Sequence, residues 1–273
     1  MDAAPDTLDA QLAALRPQFE RDGAVCVRGA FSPEWLALLA EGIEANMAEP
    51  GPFAKEYTPA GQPGRFFGDY CNWRRIPQYR EFLFHSPAAR IVGTLMGSSK
   101  VNLFHEHVLV KEPHTAEKTP WHHDQPYWTV DGAQVCSLWM SLDPLPRASA
   151  VEYVAGSHRW GQWYTPKSFA TANDHAAPGF VPVPDIDGNR DKYTLLGWDL
   201  EPGDCLVFHA LTLHGAPGNA QAIRRRAVAS RWTGHDARFV LRQGYMSPPP
   251  PPDAPPPGSP MDSDVFPVAW RAV

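Results

Sequence analysis

The spacing of hydrophobic positions changes along this chain. Leu8, Leu12, Leu15 and Phe19 recur at intervals of three and four, so residues 8–21 read as an amphipathic helix. Gly23 ends it, and residues 24–28 read as a short strand. Ser32-Pro33 supplies an N-cap and a first-turn proline. Trp35, Leu39, Ile43 and Met47 follow on one stripe, which predicts a helix over 33–47. Residues 50–70 are rich in Gly and Pro and predict a loop near the pocket. Ser86-Pro87 opens a further helix that reaches Met96 and stops at Gly97.

From Val101 the period falls from 3.6 to 2. Residues 101–111, 135–142, 150–154, 204–209 and 225–233 each read as strands. Asp143-Pro144, Pro202-Gly203-Asp204 and Pro217-Gly218-Asn219 are the turns between them. Helices first, then many strands without intervening helices, imply an α+β, mainly β chain built on a sandwich or barrel. Residues 160–195 are polar and poorly patterned, an excursion or lid. Pro248–Pro252 and Pro255–Pro257 bracket Asp253-Ala254 and form a stiff, polyproline-like surface connection to Val265-Phe266-Pro267. No internal repeat and no second domain is visible, so residues 1–273 read as one domain, with its core at about 15–240 and a Pro-rich extension at 247–260.

Composition narrows the function. At 273 residues the chain can bury a large core, and its net charge of −6 argues against nucleic acid as a partner. Arg224-Arg225-Arg226 is a local exception. No apolar stretch reaches membrane-span length, and the N-terminus lacks the charged and apolar regions of a signal peptide. Cys26, Cys71, Cys136 and Cys205 form no Cys-x-x-Cys pair, so they are expected to be reduced thiols in a cytoplasmic protein. The expected partner is a small-molecule substrate, and no obligate protein partner is indicated.

Chemistry concentrates in Trp121-His122-His123-Asp124-Gln125-Pro126-Tyr127-Trp128 and in His214-Gly215-Ala216-Pro217-Gly218-Asn219. His-x-Asp on a strand directs both side chains to one face, with His123 directed away. A later histidine completes two imidazoles and a carboxylate, the set that suits Fe(II) with positions left open for O2. His214 competes with His209 on the same expected strand. Gly215, which would let the chain turn tightly beside the ligand, favours His214. Such an iron centre needs a chelating oxo acid, whose far carboxylate needs a bidentate cation. Arg225, eleven residues after His214, has that role, with Ala227 and Ala229 on its face and with Arg224 and Arg226 solvated. Trp121, Tyr127, Trp128 and Trp139 read as packed aromatic walls, or as a cage for a cationic or flat substrate.

Trp121-His122-His123-Asp124, Gly156-Ser157-His158, Pro202-Gly203-Asp204 and His214-Gly215…Asn219…Arg225, with the opening Phe19-Glu20-Arg21-Asp22-Gly23-Ala24-Val25, resemble the phytanoyl-CoA dioxygenase family. This resemblance implies a double-stranded β-helix (a cupin-like jelly roll) with N-terminal helices. It also implies hydroxylation of an unactivated C–H bond with Fe(II), 2-oxoglutarate and O2, releasing succinate and CO2. Residue by residue, it makes His122, Asp124 and His214 the metal ligands and places Arg225 on the 2-oxoglutarate 5-carboxylate. Trp139 and His105 fall in the co-substrate pocket, and Gln125, Tyr127 and Trp128 are the candidate substrate contacts. Two departures stand out: Ala216 occupies a position often held by Ser, and Arg147-Ala148-Ser149-Ala150 replaces an acidic-Gly turn. Retained Asp124 separates the chain from the family's halogenases. Two rivals remain. His105-Glu106-His107 with Glu112 resembles the metal motif of plain cupins that need no oxo acid, and a non-catalytic family member would bind ligand without turnover.

Overall fold

A computed structural model describes residues 5–166, 175 and 178–272. In chain order these form α1 (Pro5–Asp22), β1 (Ala24–Val27), α2 (Pro33–Ala48), β2 (Lys55–Glu56), β3 (Phe66–Tyr70), α3 (Pro77–His85), α4 (Ala88–Met96) and the long β4 (Lys100–Lys111). There follow β5 (Thr119–His122), β6 (Val130–Asp131), β7 (Val135–Ser141), β8 (Glu152–Val154), β9 (Leu195–Leu196), β10 (Cys205–His209), β11 (His214–Ala216), β12 (Arg225–Thr233), β13 (Arg238–Phe239) and β14 (Val268–Arg271).

A large antiparallel sheet runs β1-β10-β7-β12-β4-β3-β2, with β14 also paired to β4, and a smaller sheet runs β5-β11-β8-β9. One face of the large sheet packs on the helices. Val108, Val110, Leu138, Met140, Val207 and Val228 meet Leu8, Leu12, Ile43, Phe82 and Ile91 there in one buried cluster. The opposite face turns Trp139, Leu206, Phe208, Ala227 and Ala229 toward Val151, Tyr153 and Leu200. Two sheets with an apolar layer between them make the jelly roll that the family resemblance implied, within the sandwich-or-barrel class of the strand pattern. Gly97 ends α4 with a φ of 63°, and the Ser98 N–H donates to the Gly93 carbonyl at 2.9 Å, a left-handed helix cap.

Several expectations need correction. The loop expected over 50–70 contains β2 and β3, and β3 is buried along its whole length beside β4. A strand covered on both faces shows no alternation, so Phe66-Phe67-Gly68-Asp69-Tyr70 carried no period-2 signal. The helix α3 had no counterpart in the pattern. The strand expected over 150–154 shortens to Glu152–Val154, because Arg147–Ser149 makes a 3-10 turn before it. The excursion at 160–195 carries a 3-10 segment at Asp187–Lys192 and then β9. The lid expected there falls partly outside the described residues.

The Pro-rich segment is not a mere surface connection. Tyr245, Ser247 and Pro248 line the cavity between the sheets. Met261 and Phe266 are buried with Phe104, Trp128 and Phe239. The chain then adds β14 antiparallel to β4, with Val268 opposite Asn102.

Candidate metal centre and cavity

Strands β5 and β11 are antiparallel neighbours, with His214 directly opposite His122, and the two ring centroids lie 4.2 Å apart. Asp124 reaches them by a route that strict alternation does not describe. The strand ends at His122, and Asp124 has helical angles (φ −78°, ψ −42°) at the start of the 3-10 turn Gln125–Tyr127. The N–H groups of Asp124 and Gln125 both donate to the Ala210 carbonyl, at 2.8 and 3.0 Å. This anchor folds the carboxylate back beside the imidazoles. Asp124 Oδ1 lies 3.5 Å from His122 Nε2 and 3.8 Å from His214 Nε2. One candidate ligand atom from each of the three buried residues lies within 4.8 Å of the others.

The hydrogen bonds set the chemistry of this cluster. His122 Nδ1 lies 2.8 Å from the Pro120 carbonyl, and His214 Nδ1 lies 2.9 Å from the Thr212 carbonyl. A carbonyl can only accept, so Nδ1 carries a proton in each ring and Nε2 is the nitrogen left to face the centre. Burial and the neighbouring His122 push the His214 pKa down to about 3, which keeps its ring neutral. Burial alone would raise the pKa of Asp124. Arg231, His214 and His122 outweigh it and hold the carboxyl well below the usual carboxylate range. Ser137 Oγ donates to Asp124 Oδ2 at 3.1 Å, which fixes the carboxylate plane. Two imidazoles that aim Nε2 at one point and a buried carboxylate fit a divalent first-row metal, with positions left open.

The competing histidines lie elsewhere. His123 is turned away, and its Nε2 accepts from the Tyr164 N–H at 2.8 Å. His209 ends β10 in the large sheet, whereas His214 opens β11 in the small one, so the two do not share a strand. His209 Nε2 donates to the Ala133 carbonyl at 2.8 Å while its Nδ1 accepts from the Leu211 N–H at 3.0 Å. Gly215 lies inside β11 and makes no turn. An added Cβ there would come within 3.1 Å of the Trp121 ring and 3.3 Å of the Thr119 carbonyl, so the glycine permits close strand approach.

The cluster opens into a cavity with an empty volume of about 1140 Å³, part of it open to solvent. Arg225 lines it, buried, and its Nη1 donates to the Ser149 carbonyl at 2.8 Å. The departing Arg147–Ala150 loop thus supplies a contact to this arginine. Burial lowers the Arg225 pKa to about 10, which leaves it cationic at neutral pH. Arg224 is paired with Glu44 and Glu112, and Arg226 with Asp143, all at 2.7 Å. Among the described residues no ion pair involves Arg225.

Trp139, Tyr127, Trp128 and Ala216 also line the cavity. Gln125 and Trp121 do not. The Gln125 amide donates to the Gly132 carbonyl at 3.1 Å, bracing the turn, and Trp121 Nε1 donates to Asp187 at 3.0 Å on the outside. The four-sided aromatic cage therefore does not form. His105 lines the cavity across from Arg231, with its ring 5.6 Å from that of Trp128. That is the far end of β12 from Arg225, which sits opposite Lys111.

The plain-cupin motif does not assemble. Glu106 lies on the other face of β4 from His105 and His107 and accepts from the Asn72 backbone, while Glu112 is held by Arg224. Among the described residues, His122, Asp124 and His214 are the one group with metal-ligand geometry. Cavity residues that sequence reasoning missed include Arg231, Tyr70 and Tyr245, and His107, named only in the plain-cupin motif, lines it too. Arg231 was within reach of the pattern, since it shares the parity of Arg225, Ala227 and Ala229.

Residues 19–227 match the profile of the phytanoyl-CoA dioxygenase family. The chain belongs to that family. A Caenorhabditis elegans protein described as a probable phytanoyl-CoA dioxygenase is 24% identical over 176 residues, covering 62% of this chain and 55% of its own length. The chain therefore spans little more than half of that relative. Among solved structures, the non-heme alpha ketoglutarate dependent epimerase SnoN from nogalamycin biosynthesis superposes with a TM-score of 0.74 at 23% identity, covering 97% of this chain and 98% of its own. A second SnoN structure contains Fe3+, alpha ketoglutarate and nogalamycin RO. The carbocyclase SnoK gives a TM-score of 0.72 at 19% identity, covering 93% and 95% of the two chains. Among the described residues, no helix is long and apolar enough to cross a membrane.

Proposed function

We propose that this protein is an Fe(II)- and 2-oxoglutarate-dependent dioxygenase that hydroxylates an unactivated C–H bond of a small molecule. Succinate and CO2 are the co-products, and the chain works as one oxygenase domain. The observation that carries the reading is the convergence of His122 Nε2, His214 Nε2 and Asp124 beside a cavity that also holds a buried Arg225 without an ion-pair partner among the described residues. A non-catalytic binder needs no such combination.

His122, Asp124 and His214 would hold the iron, their Nδ1–carbonyl bonds and Ser137 keeping the three groups in register. Iron, when bound, supplies activation of O2. Arg225, with its fork fixed by the Ser149 carbonyl, binds the 5-carboxylate of 2-oxoglutarate. Ala227 and Ala229 leave room along the β12 face for the five-carbon chain, and Trp139 walls it. Tyr127 and Trp128, both buried, line the cavity and give it aromatic walls. The family and the retained Asp124 support hydroxylation as the outcome.

Anaerobic titration should show one Fe(II) per chain and a weak visible band on adding 2-oxoglutarate, followed by succinate release when O2 is admitted. Iron binding without O2-dependent succinate formation in the presence of a broad substrate panel would contradict the catalytic reading.

A further inference from the structure

Arg231 occupies the same face of β12 as Arg225, six residues further on, or about 20 Å along the strand. It is buried and lines the cavity. Its guanidinium carbon lies 5.6 Å from the centre of the Trp128 ring. Its Nε is 3.8 Å from Asp124 Oδ2, close enough for charge attraction and too far for a hydrogen bond. Arg231 Nε and Nη1 have no hydrogen-bond partner among the described residues. Two further orphans stand across the strand pair. His105 Nδ1 and His107 Nε2 are buried without partners, on the residues facing Arg231 and Ala229.

Buried polar atoms without partners are costly, and a cluster of them in a cavity marks where a ligand completes the bonding. The two imidazoles are held neutral, by burial first and then by Arg231 itself, with His107 down at about 3. The cationic guanidinium therefore dominates this end of the cavity. Asp124 is the acid beside it, and a metal would engage that carboxylate. A 2-oxoglutarate anchored on Arg225 uses the other end. What remains at the Arg231 end is a cation with unused N–H groups against the Trp128 ring, in a cavity that Tyr127 also lines.

We propose that the primary substrate is a flat, largely apolar molecule bearing a carboxylate, and that Arg231 binds the carboxylate while Trp128 and Tyr127 pack against its body. A guanidinium presents paired N–H groups that match a carboxylate bidentately, and an aromatic face beneath it keeps the pair dry. The inference rests on the dioxygenase reading and deepens it by naming the substrate class.

Calorimetry on the Fe(II) protein without O2, at saturating 2-oxoglutarate, tests it with benzoate, 3-phenylpropionate and 2-naphthoate, each paired with its primary amide. At least one acid should bind wild type tenfold or more tighter than its amide. Arg231→Gln should erase that preference while iron and 2-oxoglutarate still bind, and Arg231→Lys should keep part of it. The acid–amide comparison on wild type needs no variant to fold. The proposal is overturned if no acid outbinds its amide, or if Arg231→Gln keeps the preference. It is also overturned if Arg231→Gln loses 2-oxoglutarate binding, which would put Arg231 on the co-substrate. If wild type binds neither iron nor 2-oxoglutarate, the dioxygenase reading itself fails.

Discussion

Two groups in this protein look like metal sites on paper, and among the described residues only one assembles metal-ligand geometry. His105-Glu106-His107 is a compact motif on one strand, yet alternation along β4 sends Glu106 to the helix side and the histidines to the cavity. His214 lies far along the chain from His122 and Asp124, and two strands and a 3-10 turn bring the three together. The environments differ as well. Both Nδ1 atoms of the assembled site are committed to carbonyls, so the two Nε2 atoms are left to face the centre, whereas His105 and His107 leave ring nitrogens unpartnered. Chelation depends on convergent lone pairs, and closeness in sequence supplies none.

The largest expected effect breaks the comparison outright. His214→Ala should abolish iron binding and turnover while the fold persists, and His107→Ala should leave one iron per chain. Metal analysis of the two purified variants decides between the clusters, and the opposite ranking would exchange their roles. Asp124→Ala should come next. It opens a coordination position that chloride can enter and stops hydroxylation, and wild-type hydroxylation by this variant would remove Asp124 from the ligand set.

The co-substrate end gives a smaller, graded effect. A buried carboxylate that loses its bidentate partner is disfavoured by roughly 3–5 kcal/mol. Arg225→Ala should therefore raise the KM for 2-oxoglutarate about a hundredfold or more, since about 1.4 kcal/mol is a factor of ten. Arg224 and Arg226 are engaged with Glu44, Glu112 and Asp143 outside the cavity, so Ala at either should change KM little. Steady-state kinetics on the three single variants reads this directly.

The smallest effect concerns stability and sharpens the contrast between the two faces of β4. Burial raises the Glu106 pKa to about 8, against an ordinary value of 4.5. The folded state then holds a proton that the unfolded state releases, so stability falls as pH rises from about 4.5 to 8. The slope is at most about 1.4 kcal/mol per pH unit. Lys111 acts in the opposite sense. Burial, and then Arg225, lower its pKa to about 6, so its contribution to stability rises with pH above 6. Glu106→Gln should flatten the fall in Tm as pH rises from 5 to 8 without altering iron stoichiometry. A pH profile identical to wild type would mean that Glu106 is ionised in the folded protein.

How much of this was legible depended on how each element is covered. The amphipathic helices, the main strands and the order of the metal residues followed from periodicity and motif. The inward direction of Arg225 followed from parity along one regular strand. Parity failed where the backbone departs from a regular strand. Asp124 lies beyond the end of β5, and Phe104 is an extra residue in β4, where the pairing jumps from His105–Arg231 to Leu103–Trp232. Such a bulge flips the faces. Val101 and Leu103 then share the helix side with Val108 and Val110, leaving His105 and His107 to the cavity. The Tyr245–Pro248 wall was hidden for another reason. A proline-rich stretch has no period to reveal which side it covers.

The most direct test of the central claim is the structure of the Fe(II)-loaded protein, prepared and crystallised without O2. The account predicts one iron bonded by Nε2 of His122, Nε2 of His214 and a carboxylate oxygen of Asp124, with no fourth protein ligand. Iron found on His105 or His107, or bonded through Nδ1 of either His122 or His214, would contradict it.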